Sequence, residues 1–205
     1  MSRGSQTEYV VLVLCVAAFC LAMGLRESLN VWIGTGSAAA VSVLLLRRLP
    51  NPPRIGRSDL TAFPLGIGLV AGLLMAVATW VLYPVSTDLV PAISTEVPKL
   101  YALLRQPPGP VWALPVLVLV VSVEEWVWRG LAIDLFSKPL SPAVAAVLSA
   151  FIYVLPQIAV RSPLLVVVAF LCGLVWGGLR IWTKSLVAPL VAHLVWDLLV
   201  FVLFP

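Results

Sequence analysis

Charge is scarce in this sequence. Only 11% of its 205 residues are Asp, Glu, Lys or Arg, against 61% that are hydrophobic. Ordinary globular domains carry roughly 25% charged and 45–50% apolar residues. A chain this short with so few polar side chains cannot cover a water-facing surface, which excludes a soluble domain. Histidine is scarcer still, with His193 alone. The three cysteines, Cys15, Cys20 and Cys172, stand inside apolar runs. They show neither CxxC spacing nor an even-numbered framework, and read as small buried hydrophobes. The net charge of +4 does not indicate nucleic acid, because the basic residues collect at the ends of apolar runs rather than in a stripe interleaved with aromatics.

What is present is apolar sequence, recurring to the last residue with a mean hydropathy of +1.08. A helix needs roughly 20 apolar residues to cross a bilayer, fewer where the membrane thins or flanking residues snorkel. Seven spans are predicted: Tyr9 to Leu25, Val31 to Leu46, Phe63 to Tyr83, Val111 to Leu131, Ala143 to Val160, Leu164 to Leu179 and Leu186 to Phe204. The second and sixth are short enough to tilt or lie partly in the interface. The run Arg47-Arg48-Leu49-Pro50-Asn51-Pro52-Pro53-Arg54 cannot continue a helix. The longest polar segment, Pro84 to Pro110, is expected along one membrane face, with a short surface helix over Ile93 to Arg105.

The predicted fold is therefore all-α, a polytopic transmembrane bundle of about seven spans forming one integral membrane domain. Placing the N-terminus inside assigns nine Lys and Arg residues to the inner side and four, Arg26, Lys99, Arg105 and Arg161, to the outer side. Arg47, Arg48, Arg54 and Arg57 carry most of that bias. Seven spans then put the C-terminus outside.

An ionisable group deep in apolar sequence costs about 2.5–3.5 kcal/mol on insertion scales, so each needs a reason. Glu124, Glu125, Asp197 and His193 are such groups. Glu125 and Arg129 are four apart on one helical face and are expected to pair. Glu124 points about 100° away from Glu125, free to face the bundle interior. His193 and Asp197 are again four apart, so Asp197 is expected to hold the imidazole and fix its tautomer. Tyr153 and Gln157 repeat the spacing, and a membrane Gln commonly ties helices together.

Glu124-Glu125-Trp126-Val127-Trp128-Arg129-Gly130 resembles the EExxxRG signature of the CAAX protease and bacteriocin-processing (CPBP, or Abi) family, the type II prenyl-endopeptidase-like intramembrane proteases. Gly173-Leu174-Val175-Trp176-Gly177 and Thr183-Lys184-Ser185-Leu186 are similar to its G-x-x-x-G helix and T-x-S-L turn. Pro189 and His193-Leu194-Val195-Trp196-Asp197 resemble its HxxxN/D motif. The resemblance spans roughly Val111 to Phe204. It implies a catalytic core over residues 111–205, preceded by N-terminal spans and a polar loop over residues 1–110.

The resemblance implies an endopeptidase acting on a membrane-anchored protein or peptide, with no nucleic-acid partner. The expected location is a bacterial cytoplasmic membrane. Glu124 would be the general base that takes a proton from water. His193 would donate to the oxyanion, with Asp197 orienting it or sharing that task. Glu125, Arg129 and Tyr153 would support them. One departure stands out: the family's FxxxH motif meets Tyr153 to Gln157 here, so a histidine is replaced by Gln157. Its amide still donates an N–H; losing one such donor typically lowers rate by about 10²–10³. A zinc site needs about three N, S or O ligands, and an amide is a poor one. No cofactor is therefore expected, zinc being disfavoured. Two other readings arise from the same residues: a non-catalytic member serving immunity or substrate binding, and a proton-coupled transporter using Glu124 and His193 as a relay. Against the transporter, no repeat symmetry or matched pair of broken helices is visible.

Two depths conflict in this reading. Glu124 lies about 10 Å from an inner end at Leu131, whereas Gln157 lies about 21 Å from one at Ala143.

Overall fold

Residues 3–56 and 59–204 are described by a computed structural model, and among them the chain forms helices and no strand. The helices are α1 (Arg3–Gly24), α2 (Val31–Leu46), α3 (Ala62–Leu89), α4 (Ile93–Leu104) and α5 (Leu114–Glu124). A π-helical segment, Glu125–Ala132, carries α5 on into α6 (Ile133–Phe136). Then come α7 (Pro142–Val160), α8 (Pro163–Thr183) and α9 (Val187–Asp197), which ends in a second π segment, Leu198–Leu203. The chain is an integral membrane protein. Helices α1, α3, α7 and α8 are long and apolar enough to cross a bilayer, and Val31–Leu46 and Val187–Leu203 are shorter apolar helices.

Local chemistry sets these boundaries. The Asn30 side chain accepts from the Trp32 and Ile33 amides at the start of α2. Ser141 and Ser162 accept from Val144 and Leu165, and each is followed by proline at the first helical position. Both arrangements satisfy amides that the first turn leaves unpaired. Arg161 and Lys184 stop α7 and α8 in the left-handed region, at φ 61° and 55°.

Side-chain contacts sort the helix ends onto two faces. On one, Lys138 pairs with Glu8, and Pro53 packs against Gly130, where a Cβ would lie 2.7 Å from its ring. On the other, Arg26 donates to the Ala159 and Val160 carbonyls at 3.2 and 2.9 Å. Asn30 there donates to the Pro107 carbonyl, and Ser162 to Glu96. The chain thus passes seven times between two faces, with α4 lying along the second.

Three expectations change. The sixth span is not short, since α8 runs for 21 residues. The fourth does not end at Leu131: the π segment and α6 carry it to Phe136. That extension removes the depth conflict, because Glu124 then sits roughly 17 Å from its inner end, level with Tyr153 on α7, and Gln157 lies one turn higher. Ser149 donating to the Trp128 carbonyl at 2.6 Å fixes that register. Finally, Arg129 is 1% exposed and belongs to the core, so it does not count toward sidedness. Arg57, which does, lies outside the described residues.

Two close helix pairs hold the bundle. Gly173 and Gly177 of α8 face Ala150 and Ala146 of α7. Gly68 and Gly72 of α3 lie against the Ala188 and Ala192 carbonyls of α9. Small residues four apart permit such approach, which substitutes for the hydrophobic drive that lipid removes.

Candidate active site

His193, on α9, is the centre of a buried polar cluster. Its Nδ1 lies 2.8 Å from Glu125 Oε1, and its Nε2 lies 3.9 Å from Glu124 Oε2 and 3.7 Å from Asp197 Oδ2. The same Glu125 oxygen is 3.2 Å from Arg129 Nη1. The Glu125–Arg129 pair is therefore present, but it is not separate from the histidine. The expectation that Asp197 holds the ring is corrected: Glu125 does, at hydrogen-bonding distance.

The two glutamates sit where α5 passes into the π segment. At ordinary helical spacing Glu124 and Glu125 point to different sides. Here they approach different ring nitrogens of one imidazole, Glu125 at Nδ1 and Glu124 toward Nε2. Wider turns free carbonyls from the regular ladder; the Trp128 carbonyl accepts from Ser149, and the Arg129 carbonyl accepts from Arg180 Nε at 3.2 Å. Arg180 also pairs with Asp134 at 3.1 Å.

Burial separates the two glutamates. The Glu125 side chain is 1% exposed and that of Glu124 14%, so Glu125 is sealed while Glu124 faces a cavity of about 170 Å³. Tyr153, Gln157, Trp176, His193 and Asp197 line the same cavity. Gln157 makes no hydrogen bond to Glu124, His193 or Asp197 among the described contacts. Asp197 keeps one buried oxygen, Oδ1, without a hydrogen-bond partner.

Beside Arg129, the Glu125 carboxylate is placed to accept a hydrogen from His193 Nδ1. The ring therefore donates from Nε2 only when it holds both protons. Among the described residues, Glu125 Oε2 and the Arg129 Nη1 and Nη2 atoms are buried without a hydrogen-bond partner. Here the Arg129 guanidinium lies 4.6 Å from the Tyr153 ring centre and 4.9 Å from that of Trp176, both within cation–π range.

Trp176 is the residue that motif reading missed as a contact. Its ring stacks on His193 at 3.7 Å with planes 19° apart. Its position between Gly173 and Gly177, on the face that approaches α7, was the available signal. Among the described residues, no group of three or more His, Cys, Asp or Glu side chains has the geometry to hold a metal ion.

Residues 106–199 match the family model for type II CAAX prenyl endopeptidase Rce1-like proteins. Over that stretch, a little under half of the chain, it is similar to the Rce1-like family. The matched stretch contains every polar residue of the cluster, and the membrane character of that family accords with helices long and apolar enough to cross a bilayer. Helices α1 to α4 lie before it. Neither the curated proteins nor the solved structures yield a match to this chain.

Proposed function

We propose that the chain is an intramembrane endopeptidase that hydrolyses a peptide bond of a membrane-anchored protein or peptide, with Glu124 activating the attacking water. The observation that carries this reading is Glu124 itself, partly exposed at the cavity wall and 3.9 Å from His193 Nε2, while Glu125 anchors the other ring nitrogen.

Glu124 and His193 share one proton in this scheme. With the proton on Nε2, the Glu124 carboxylate takes a hydrogen from water, and the hydroxyl adds to the peptide carbonyl. The Nε2–H stabilises the oxyanion. On collapse the C–N bond breaks, and Glu124 returns its proton to the departing amine, restoring the pair. Asp197, with its unpartnered oxygen, is assigned to accept from and orient the water, and the Gln157 amide N–H to share the oxyanion. The scheme needs no metal: one imidazole nitrogen remains for coordination, and an amide occupies the place of the family's other histidine.

The test uses purified protein and candidate membrane-anchored peptides. Glu124→Gln should abolish cleavage while leaving the thermal unfolding transition in place. Metal analysis of active wild-type protein should find no stoichiometric zinc; finding it would overturn the metal-free scheme. A second reading, a non-catalytic binding member, draws on Gln157. Normal biological activity of Glu124→Ala and His193→Ala would select it and sink the catalytic one.

A further inference from the structure

The cavity beside Glu124 reaches only one face of the membrane. The helices that line it do so mainly with the half nearer the face that bears α4. Helix α5 contributes residues 117–124 and nothing from its inner continuation; α7 contributes 153–157 and nothing earlier. Helix α8, running the other way, lines it from 165 to 176 and not beyond. In α9 and its π extension the lining starts at His193. The roof comes from Leu100 and Leu104 of α4, pinned by Trp32 donating to the Leu104 carbonyl at 3.2 Å and Tyr101 donating to the Val200 carbonyl at 3.0 Å.

The opposite half is closed. Val127, Trp128 and Ala132 are 0% exposed and Arg129 1%, and Ser149 ties α7 to the Trp128 carbonyl. The basic residues concentrate at this closed end: Arg47, Arg48, Arg54, Lys138, Arg180 and Lys184 belong there. Arg26, Lys99, Arg105 and Arg161 flank the open one. Of those four, Arg26 is committed to capping the carbonyls that end α7. Lys and Arg in short connections mark the cytoplasmic side.

We infer that the catalytic cavity opens away from the cytoplasm, so that its substrate is a membrane-anchored protein whose scissile segment emerges on the extracytoplasmic face. The substrate half of this inference rests on the peptidase reading; the direction of access does not. The segment enters beneath α4 through a mouth of leucine, tryptophan and valine side chains. It meets Glu124 after descending roughly 10–15 Å, since ten residues separate Leu114 from Glu124.

Single-cysteine accessibility in the full-length protein tests it. Trp112→Cys marks the open face, Lys138→Cys the closed face and Thr35→Cys the cavity wall, with the wild-type chain giving the background of its native cysteines. In right-side-out vesicles, a membrane-impermeant maleimide should label the Trp112→Cys and Thr35→Cys variants several-fold above background. Lys138→Cys should react only after inversion or lysis. Labelling of Trp112→Cys only in inverted vesicles would overturn the sidedness. Labelling of Thr35→Cys only in inverted vesicles, or from neither side, would overturn the direction of access. A library of single-span reporters with a randomised segment on the extracytoplasmic side, compared with the inverted library, tests the substrate. Cleavage confined to the inverted library overturns the inference. The expected labelling with neither library cut counts against the peptidase reading alone and leaves the access reading supported.

Discussion

The α7–α8 pair and the α3–α9 pair use the same device with different tolerance. In α7–α8, a Cβ on Gly173 would stand 3.0 Å from the Ala150 Cβ, and one on Gly177 3.1 Å from the Ala146 Cβ. At those distances the two helices need part by only a few tenths of an ångström. In α3–α9, a Cβ on Gly68 would stand 2.5 Å from the Ala188 carbonyl oxygen, and one on Gly72 2.7 Å from that of Ala192. Those neighbours are backbone and cannot yield without moving the helix. The tighter joint therefore involves a helix outside the Rce1-like stretch. Since α9 carries His193 and Asp197, helix α3 is a brace behind the site rather than an optional wall. Helix α8 acts from the other side, through the Trp176 ring on His193.

Substitutions at the two joints test this contrast. Trp176→Ala removes a fully buried ring and should destabilise by about 3–5 kcal/mol, measured by unfolding in detergent; Trp176→Phe should recover much of that loss. Wild-type stability in the Ala variant would reduce α8 to a lining element. Gly72→Ala should lose about 1–3 kcal/mol through overpacking, and cleavage should fall with it because the brace shifts α9. Thr79→Val deprives the Trp196 indole N–H of its acceptor, now at 3.0 Å, and should lower stability by about 1 kcal/mol. Gly173→Ala should change stability least, because contact strain is set against a helix-propensity gain of about 1 kcal/mol. If Gly173→Ala proved as damaging as Gly72→Ala, the two joints would be equivalent and the brace argument would fall.

The fold was largely legible, because apolar runs and their breakers are local signals. Asn30, Ser141-Pro142 and Ser162-Pro163 mark three helix starts that the spacing places within a residue or two. The surface helix expected over Ile93 to Arg105 forms as Ile93–Leu104. The run to Phe136 was not legible, since the charge at Asp134 interrupts the apolar sequence. Within the site, Glu124, His193, Asp197, Tyr153 and Gln157 do meet in one cavity. The Glu125–His193 contact was hidden because it joins residues 68 apart in sequence. Gly68 and Gly72 were invisible for a plainer reason: glycines four apart are common in membrane helices, and nothing in the sequence says which partner they touch.

The π segment makes residue number, as well as residue identity, a constraint on this site. Removing any one residue between Trp126 and Ala132 would let the stretch relax to ordinary α-helix, a locally more regular structure. An ordinary helix advances about 100° per residue and a π turn less, so the deletion would also change the angle between α5 and α6, and with it the direction of Glu124 toward His193. Loops of this chain can absorb a lost residue; this helix cannot, and a single-codon deletion there would leave a well-formed membrane bundle with its carboxylate facing the wrong neighbour.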